Sequence, residues 1–445
     1  MLCFSNLSQR LLAAGFCFAL TLGQAAHATG TRAIQNPPTH LGTNQGAAAC
    51  DTVYGTMGFE PDDNQQHPLF LYIGGTDFGG NEGEDLQPLY DLRDATLTAM
   101  AERGYVSLLV EYDDVFDLAT FNQIGFRNKL NCMFDQTSSE SLISKACALS
   151  SVDCSQGIAT WGMSQGAILA LGASQYDSRI YASLSQGYTG TSQPVSILPF
   201  NRVRLVNGED DGLNNDTTKM NTATGLDCAS NATDCLRSDG SGWVVVRAGQ
   251  VAMPNDPPGT IDHCWFFRTE CGSNGTFAIE PNFWDPNNPP TYEFSLVTNA
   301  DWLAQAAAQP PTCPAKYVAL KSQMNGLYVS ALLGTAGVPL KAQSFWAQGW
   351  ETFACLEQGN GQIALQASNG KFVVADTQNG YALSATADQP GQLGTFTYVD
   401  LGSGIIALQG DGSNDYVDVK APPSRQLFMD NPTLGTSAKF EIIAK

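Results

Sequence analysis

Ile158-Ala159-Thr160-Trp161-Gly162-Met163-Ser164-Gln165-Gly166-Ala167-Ile168-Leu169-Ala170-Leu171 is the stretch whose reading decides the architecture of this 445-residue chain. Ile158 to Trp161 are apolar or β-branched, as a buried strand requires. Ala167 to Leu171 begin a good helix pattern. Between them Gly162-Met163-Ser164-Gln165-Gly166 matches G-x-S-x-G, the nucleophile elbow. A strand that turns at once into a helix leaves no room for side chains beside the turn, so both flanks are Gly. The middle residue is then held on the tip with its Oγ exposed. The new helix aims its first amides, starting with the Gln165 N–H, at any anion forming beside that oxygen.

Upstream, His67-Pro68 introduces Leu69-Phe70-Leu71-Tyr72-Ile73, an apolar run of strand length that ends in Gly74-Gly75-Thr76-Asp77. The loop after this earlier strand is where a second oxyanion donor belongs, a backbone N–H. The Thr76 N–H is the expected donor, with Gly75 beside it. Further along, a helix is expected over Leu89–Ala101, a strand over Val106–Val110, and helices over Leu118–Phe134 and Ser141–Ala148. Strands over Tyr181–Leu184 and Arg202–Val206 follow the elbow helix. Alternating strands and helices indicate a parallel sheet covered on both faces. Ligands in such sheets bind at the carboxyl ends of the strands.

Arg202–Val206 runs directly into Asn207-Gly208-Glu209-Asp210-Asp211-Gly212. An acid at the end of a late strand can fix an imidazole tautomer and stabilise the imidazolium. Asp211 is the first choice and Asp210 the close rival. The histidine follows by elimination among four. His27 lies in the N-terminal segment read below as a signal peptide, His40 in a lead-in, and His67 before the first sheet strand. Only His263 comes after both Ser164 and Asp211, as the order Ser…Asp…His demands. Gly212 to Gly242 reads as a long polar loop, and Trp243–Arg247 as a further strand.

In elbow, oxyanion loop, acid and base alike, residues 50–310 resemble the α/β-hydrolase family. The resemblance implies an α/β fold with a doubly wound, mostly parallel sheet. It also implies hydrolysis of an ester or amide through an acyl-enzyme on Ser164, with no cofactor. Ile73 stands where the His of an HGGG oxyanion motif would be, a departure from part of the family.

The N-terminus points to export. Arg10 precedes an apolar run from Leu11 to Leu22, and Ala26-His27-Ala28 supplies small residues. Residues 1–28 therefore read as a secretory signal peptide rather than a membrane anchor, and no other stretch is apolar enough to span. From Thr29 to about Ala49 the chain is an aperiodic lead-in. Of the twelve Cys, Cys3 and Cys17 fall in the signal. The other ten are an even number, as an oxidising compartment favours. Cys147/Cys154, Cys228/Cys235 and Cys264/Cys271 share one spacing and are expected to be local disulfides. Cys50 with Cys132 and Cys313 with Cys355 are left over to pair, though the sequence does not fix the connectivity. No C-x-x-C occurs, so no metal site is expected. A net charge of −21 argues against nucleic acid as a partner.

Asp301–Ala304 closes a final helix, and residues 310–316 read as a linker from the catalytic region (29–309) to a different pattern. Beyond it the sequence repeats itself. Val318–Ala331 is VALKSQMNGLYVSA, Ile363–Asp376 is IALQASNGKFVVAD, and Ile406–Val419 is IALQGDGSNDYVDV. Their starts lie 45 and 43 residues apart. Each copy is followed by a strand containing Phe353, Phe396 or Phe440. Three copies of this size argue for a closed threefold unit, since one copy cannot bury its own apolar face. Residues 317–445 resemble the fascin-like β-trefoil group, which shares its architecture with ricin-type lectins. The resemblance suggests an all-β sugar-binding module. Tyr328, Trp346, Trp350, Tyr381 and Tyr416 are its candidate stacking residues, though core positions are the commoner fate of such aromatics. Asp411–Asp415 faintly resembles a calcium loop but lacks the closing Glu, so a turn is expected. Together these readings give a secreted serine esterase, with an acylated polysaccharide as the best-fitting substrate. A lipase, a polyester depolymerase and a non-catalytic binding protein on the same scaffold are the alternatives.

Overall fold

The computed structural model describes residues 30–75, 87–114, 122–188, 196–212, 215–247, 250, 261, 263, 292–332, 337–359, 361–411 and 413–445. The proposed signal segment, Thr76, Cys264 and Cys271 lie outside the described residues.

The apolar runs form strands of one mixed sheet. Its strands are β1 (Thr31–Ala33), β4 (Thr56–Pro61), β5 (Leu69–Ile73), β6 (Val106–Val110), β7 (Ile158–Met163), β8 (Ile180–Gln186), β9 (Val203–Gly208), β10 (Asp234–Leu236) and β11 (Gly242–Val246). Two short strands, β2 (His40–Gly42) and β3 (Thr52–Tyr54), pair separately. The sheet order is β1-β4-β6-β5-β7-β8-β9-β11-β10. The six strands from β6 to β11 in that order run parallel. The edges at β1, β4 and β10 are antiparallel.

Helices cover both faces. They are α1 (Gln87–Glu102), α2 (Gln123–Phe134), α3 (Leu142–Cys147), α4 (Gln165–Gly172), α5 (Thr217–Thr224) and α6 (Leu296–Ala307). Leu69, Leu71 and Ile73 of β5 pack in one core with residues of α2, α3, α4 and α5. Phe70 and Tyr72, pointing the other way, pack with α1 and α6. Two covered faces explain why β5 is a continuous apolar run and not an alternating one. The chain leaves β5 toward α1 on one face and leaves β7 toward α4 on the other. That divergence makes the carboxyl ends of β5 and β7 a topological switch point, the place where ligands of open α/β sheets bind.

Three segments carry more structure than the sequence suggests. The lead-in holds β1 and β2, and β1 pairs with β4 through Thr31–Ala33. The segment read as one polar loop over 212–242 contains α5 and β10. Asp216 caps α5 by accepting the Lys219 N–H, while Met220 and Ala223 bury its inner face. The linker is not an open tether: Cys313 and Ala315 are fully buried, and Lys316 nearly so.

The C-terminal strands close a barrel. Its first repeat is β12 (Tyr317–Ser322), β13 (Tyr328–Ser330), β14 (Lys341–Ser344) and β15 (Phe353–Gly359). Next come β16 (Gln362–Gln366), β17 (Phe372–Asp376), β18 (Ala382–Ala387) and β19 (Phe396–Asp400). The third is β20 (Ile405–Gly410), β21 (Tyr416–Val419), β22 (Leu427–Asn431) and β23 (Phe440–Ala444). The first and fourth strands of the repeats pair in a ring, β12-β15-β16-β19-β20-β23 and back to β12. The middle strands form three hairpins across one end, as in a β-trefoil. Phe353, Phe396 and Phe440 are each fully buried inside. A closed ring leaves no strand edge to aggregate.

The barrel docks on the amino edge of the sheet. Arg202, just before β9, pairs with Glu357 of β15 at 2.9 Å. Glu357 also accepts the Cys313 N–H at 3.1 Å. Lys316 Nζ donates to the Thr222 and Ala223 carbonyls at the end of α5. Four disulfides form among the described residues: Cys50–Cys132, Cys147–Cys154, Cys228–Cys235 and Cys313–Cys355. Such a set fits an oxidising compartment. Among the described residues no helix is long and apolar enough to cross a membrane.

Candidate active site

Ser164 sits between β7 and α4 with φ 51° and ψ −116°, a backbone conformation that L-residues rarely adopt. Its flanks explain how the turn is tolerated. A Cβ on Gly162 would lie 2.2 Å from the Gly166 carbonyl oxygen. One on Gly166 would lie 2.1 Å from the carbonyl oxygens of both Ile73 and Gly74. The first turn of α4 therefore rests directly on the end of β5. Position 164 stays partly open to solvent, while Gln165 is buried beneath it. The Ser164 N–H donates to the Gln186 carbonyl at the end of β8.

The three residues singled out by order come together. His263 Nε2 lies 2.8 Å from Ser164 Oγ, and His263 Nδ1 lies 2.8 Å from Asp211 Oδ2. A carboxylate can only accept, so Nδ1 carries the proton, and Nε2 is left to accept from the Ser164 hydroxyl. Asp211 is 1 % exposed, whereas the His263 side chain keeps a quarter of its surface. The carboxylate is thus sealed and the imidazole reachable.

Asp210 does something else. Its Oδ2 accepts the Ile261 N–H at 2.9 Å, and its own N–H donates to the Ile261 carbonyl. It clips the backbone two residues before His263 to the end of β9. Two adjacent acids therefore divide the work, one on the ring and one on the loop that carries the ring. By sequence alone both are candidates for one role.

Thr76 lies outside the described residues, but the loop leading to it is placed. The Gly74 carbonyl accepts the Tyr112 hydroxyl at 2.8 Å. Behind Gln165 lies a group that the sequence did not announce. Lys129 Nζ donates to Gln165 Oε1 at 2.8 Å and to the Asp113 carbonyl. Gln165 Nε2 donates to the Asp114 carbonyl at 2.9 Å. The Asp113 carboxylate is 3.8 Å from Nζ and accepts from Thr43 Oγ1 at 2.8 Å. Burial pushes the Lys129 ammonium below its usual range, with Asp113 and Asp114 pulling the other way. A single Lys in a helix reads as solvated, so only tertiary packing reveals it.

Of the candidate stacking residues on the barrel, none is buried. Trp346 is 74 % exposed, Tyr381 41 % and Trp350 38 %, with Phe345 at 75 % beside them. Tyr328 and Tyr416 are half-buried. Asp411 accepts from Gln362 Nε2 at 3.0 Å.

No protein-family model matches the chain, and none of the curated proteins does. Solved structures do match in part. A designed threefold-symmetric protein, ThreeFoil, is 18 % identical over 29 % of this chain and 98 % of its own, with a TM-score of 0.27. An exo-β-1,3-galactanase from Clostridium thermocellum is 11 % identical over 29 % of this chain and 30 % of its own (TM-score 0.27). An endo-β-galactosidase from Clostridium perfringens is 10 % identical over 28 % and 32 % (TM-score 0.25). The chain thus spans less than a third of those two glycosidases.

Proposed function

We propose that this protein is a secreted serine hydrolase of the α/β-hydrolase type that cleaves carboxylic esters through an acyl-enzyme on Ser164. The observation that carries the reading is the hydrogen-bonded line Ser164–His263–Asp211, each contact 2.8 Å. It lies at the carboxyl ends of the strands, where the sheet's connections diverge. His263 takes the Ser164 proton as Oγ attacks the ester carbonyl, then delivers it to the departing alcohol. Water, activated by the same imidazole, releases the acid. Asp211 holds the ring in its productive tautomer and stabilises the imidazolium. The oxyanion of each tetrahedral intermediate is met by the Gln165 N–H and by an N–H from Gly75 or Thr76.

In this reading the barrel holds the enzyme near an acylated polysaccharide. The exposed Phe345, Trp346 and Trp350 supply flat faces for stacking on sugar rings. The net charge of −21 favours a neutral polymer over a strongly anionic one. The same aromatics also suit a solid polyester, so the substrate panel has to include both. The test is hydrolysis of short aryl esters, acetylated and feruloylated sugars, and polyester film by the wild type and by Ser164→Ala. Turnover in the wild type that disappears in the variant is the expected outcome. Equal rates in both rule out the serine mechanism.

A further inference from the structure

We propose that Lys129 is a positioning residue for the oxyanion pocket, acting through the side chain of Gln165. The proposal rests on the serine-hydrolase reading above and concerns how that site is held in shape. Lys129 is 3 % exposed and its partner Asp113 4 %. A buried ion pair is usually no better for stability than apolar side chains of the same shape. What distinguishes this one is where its hydrogen bonds go. One reaches the amide of Gln165, the residue that follows the nucleophile and whose backbone N–H faces the developing anion. The other reaches the Asp113 carbonyl.

The segment just after β5 is held from the same place. Tyr112, one residue before Asp113, donates its hydroxyl to the Gly74 carbonyl, at the start of the loop assigned to the second donor. The Lys129 ammonium lies 5.9 Å from the Tyr112 ring centre, within cation–π range. Residues 112–114 and Lys129 therefore hold both Gln165 and Gly74. The grip is itself anchored. The Asp113 carboxylate accepts from Thr43 Oγ1 and the Gly46 N–H, and Asn128 donates to the Gly46 carbonyl at 2.9 Å. Cys50–Cys132 ties the same lead-in to α2, three residues beyond Lys129. Oxyanion donors work because they are fixed before the charge forms, so loosening their support is felt in the transition state rather than in substrate binding.

The experiment compares Lys129→Met, Gln165→Met and the double variant with the wild type and Ser164→Ala. It measures kcat and KM on p-nitrophenyl acetate and the labelling rate of a fluorophosphonate probe, with thermal unfolding as a folding control. Gln165→Met keeps the backbone N–H and loses only the side-chain tether. The expected result is a fall in kcat and labelling rate of about 10- to 50-fold in each single variant, with KM within about two-fold. The double variant should be no slower than the worse single, because Gln165→Met already removes the Lys129 linkage along with the one to Asp114. Losses that multiply, or a folded Lys129→Met with wild-type kcat, overturn the proposal. If Lys129→Met does not fold, Gln165→Met decides alone: wild-type kcat there overturns it. If the wild type labels at Ser164, only the positioning role is at stake. If it does not label, the hydrolase reading falls and takes this proposal with it.

Discussion

Among the described residues two lysines are buried, at opposite edges of one sheet, and they are partnered in different ways. Lys129, at the carboxyl edge, faces a carboxylate and grips the residue after Ser164. Lys316, at the amino edge, donates to two main-chain carbonyls and lies 4.2 Å from the Phe200 ring centre. Burial and the neighbouring Arg237 push its ammonium down to about 8. A sealed cation is therefore not by itself a mark of chemistry. At one edge the charged groups converge on a reachable hydroxyl. At the other they stitch two units together.

The largest effect that separates the edges is expected from Ser164→Ala, a loss of about 10⁴-fold or more in aryl-ester turnover with unchanged thermal stability. Next comes the contrast between the adjacent acids. Asp211→Asn should cost about 10³- to 10⁴-fold in kcat by upsetting the imidazole tautomer. Asp210→Asn should cost less than about 10-fold, since it only loosens the Ile261 clip. Matching losses would show that the two acids share one role.

At the amino edge Glu357→Gln leaves Arg202 buried without its counter-charge, and should cost about 3 kcal/mol in urea unfolding with kcat unchanged. A parallel loss of turnover would mean that the edges are coupled. The smallest effect concerns pH. The folded value of Lys316 lies below the 10.5 of a free lysine. Between about pH 8 and 10.5 the unfolded chain holds the extra proton, so the contribution of Lys316 to stability rises with pH across that window. From pH 7 to pH 10 the wild type should gain about 2 kcal/mol relative to Lys316→Met. A flat difference would mean that Lys316 does not titrate there.

Much of this was readable in advance, for identifiable reasons. Apolar runs such as Leu69–Ile73 and Val106–Val110 coincide with β5 and β6 because strands covered on both faces need no polar positions. The spatial meeting of Ser164, Asp211 and His263 followed from residue type and chain order, and the barrel from three matching copies. The catalytic roles await the assays above.

Other features hid. Gly58 and Pro61 inside β4 look like breakers, and its partner β1 is three residues long. The helix α5 is half Thr, a poor helix former, and only its Asp216 cap and the spacing of Met220 and Ala223 betray it. Asp210 and Asp211 differ only in where a turn points them. The role of Lys129 depends on Asp113, Gln165 and Thr43, which lie up to 86 residues away along the chain. No local pattern could show it.

Residues 313–316 carry one more consequence. The passage between the two units is cross-linked to β15 by Cys313–Cys355, hydrogen-bonded to Glu357, and pinned where the Lys316 N–H meets the Ile197 carbonyl. There is little swivel in such a joint. Whatever surface the barrel settles on sets the angle at which the serine mouth, a strand's length away on the far rim, meets its surroundings. On the proposed function, a polymer held by the barrel has to bend to reach Ser164, because the joint between the two units does not.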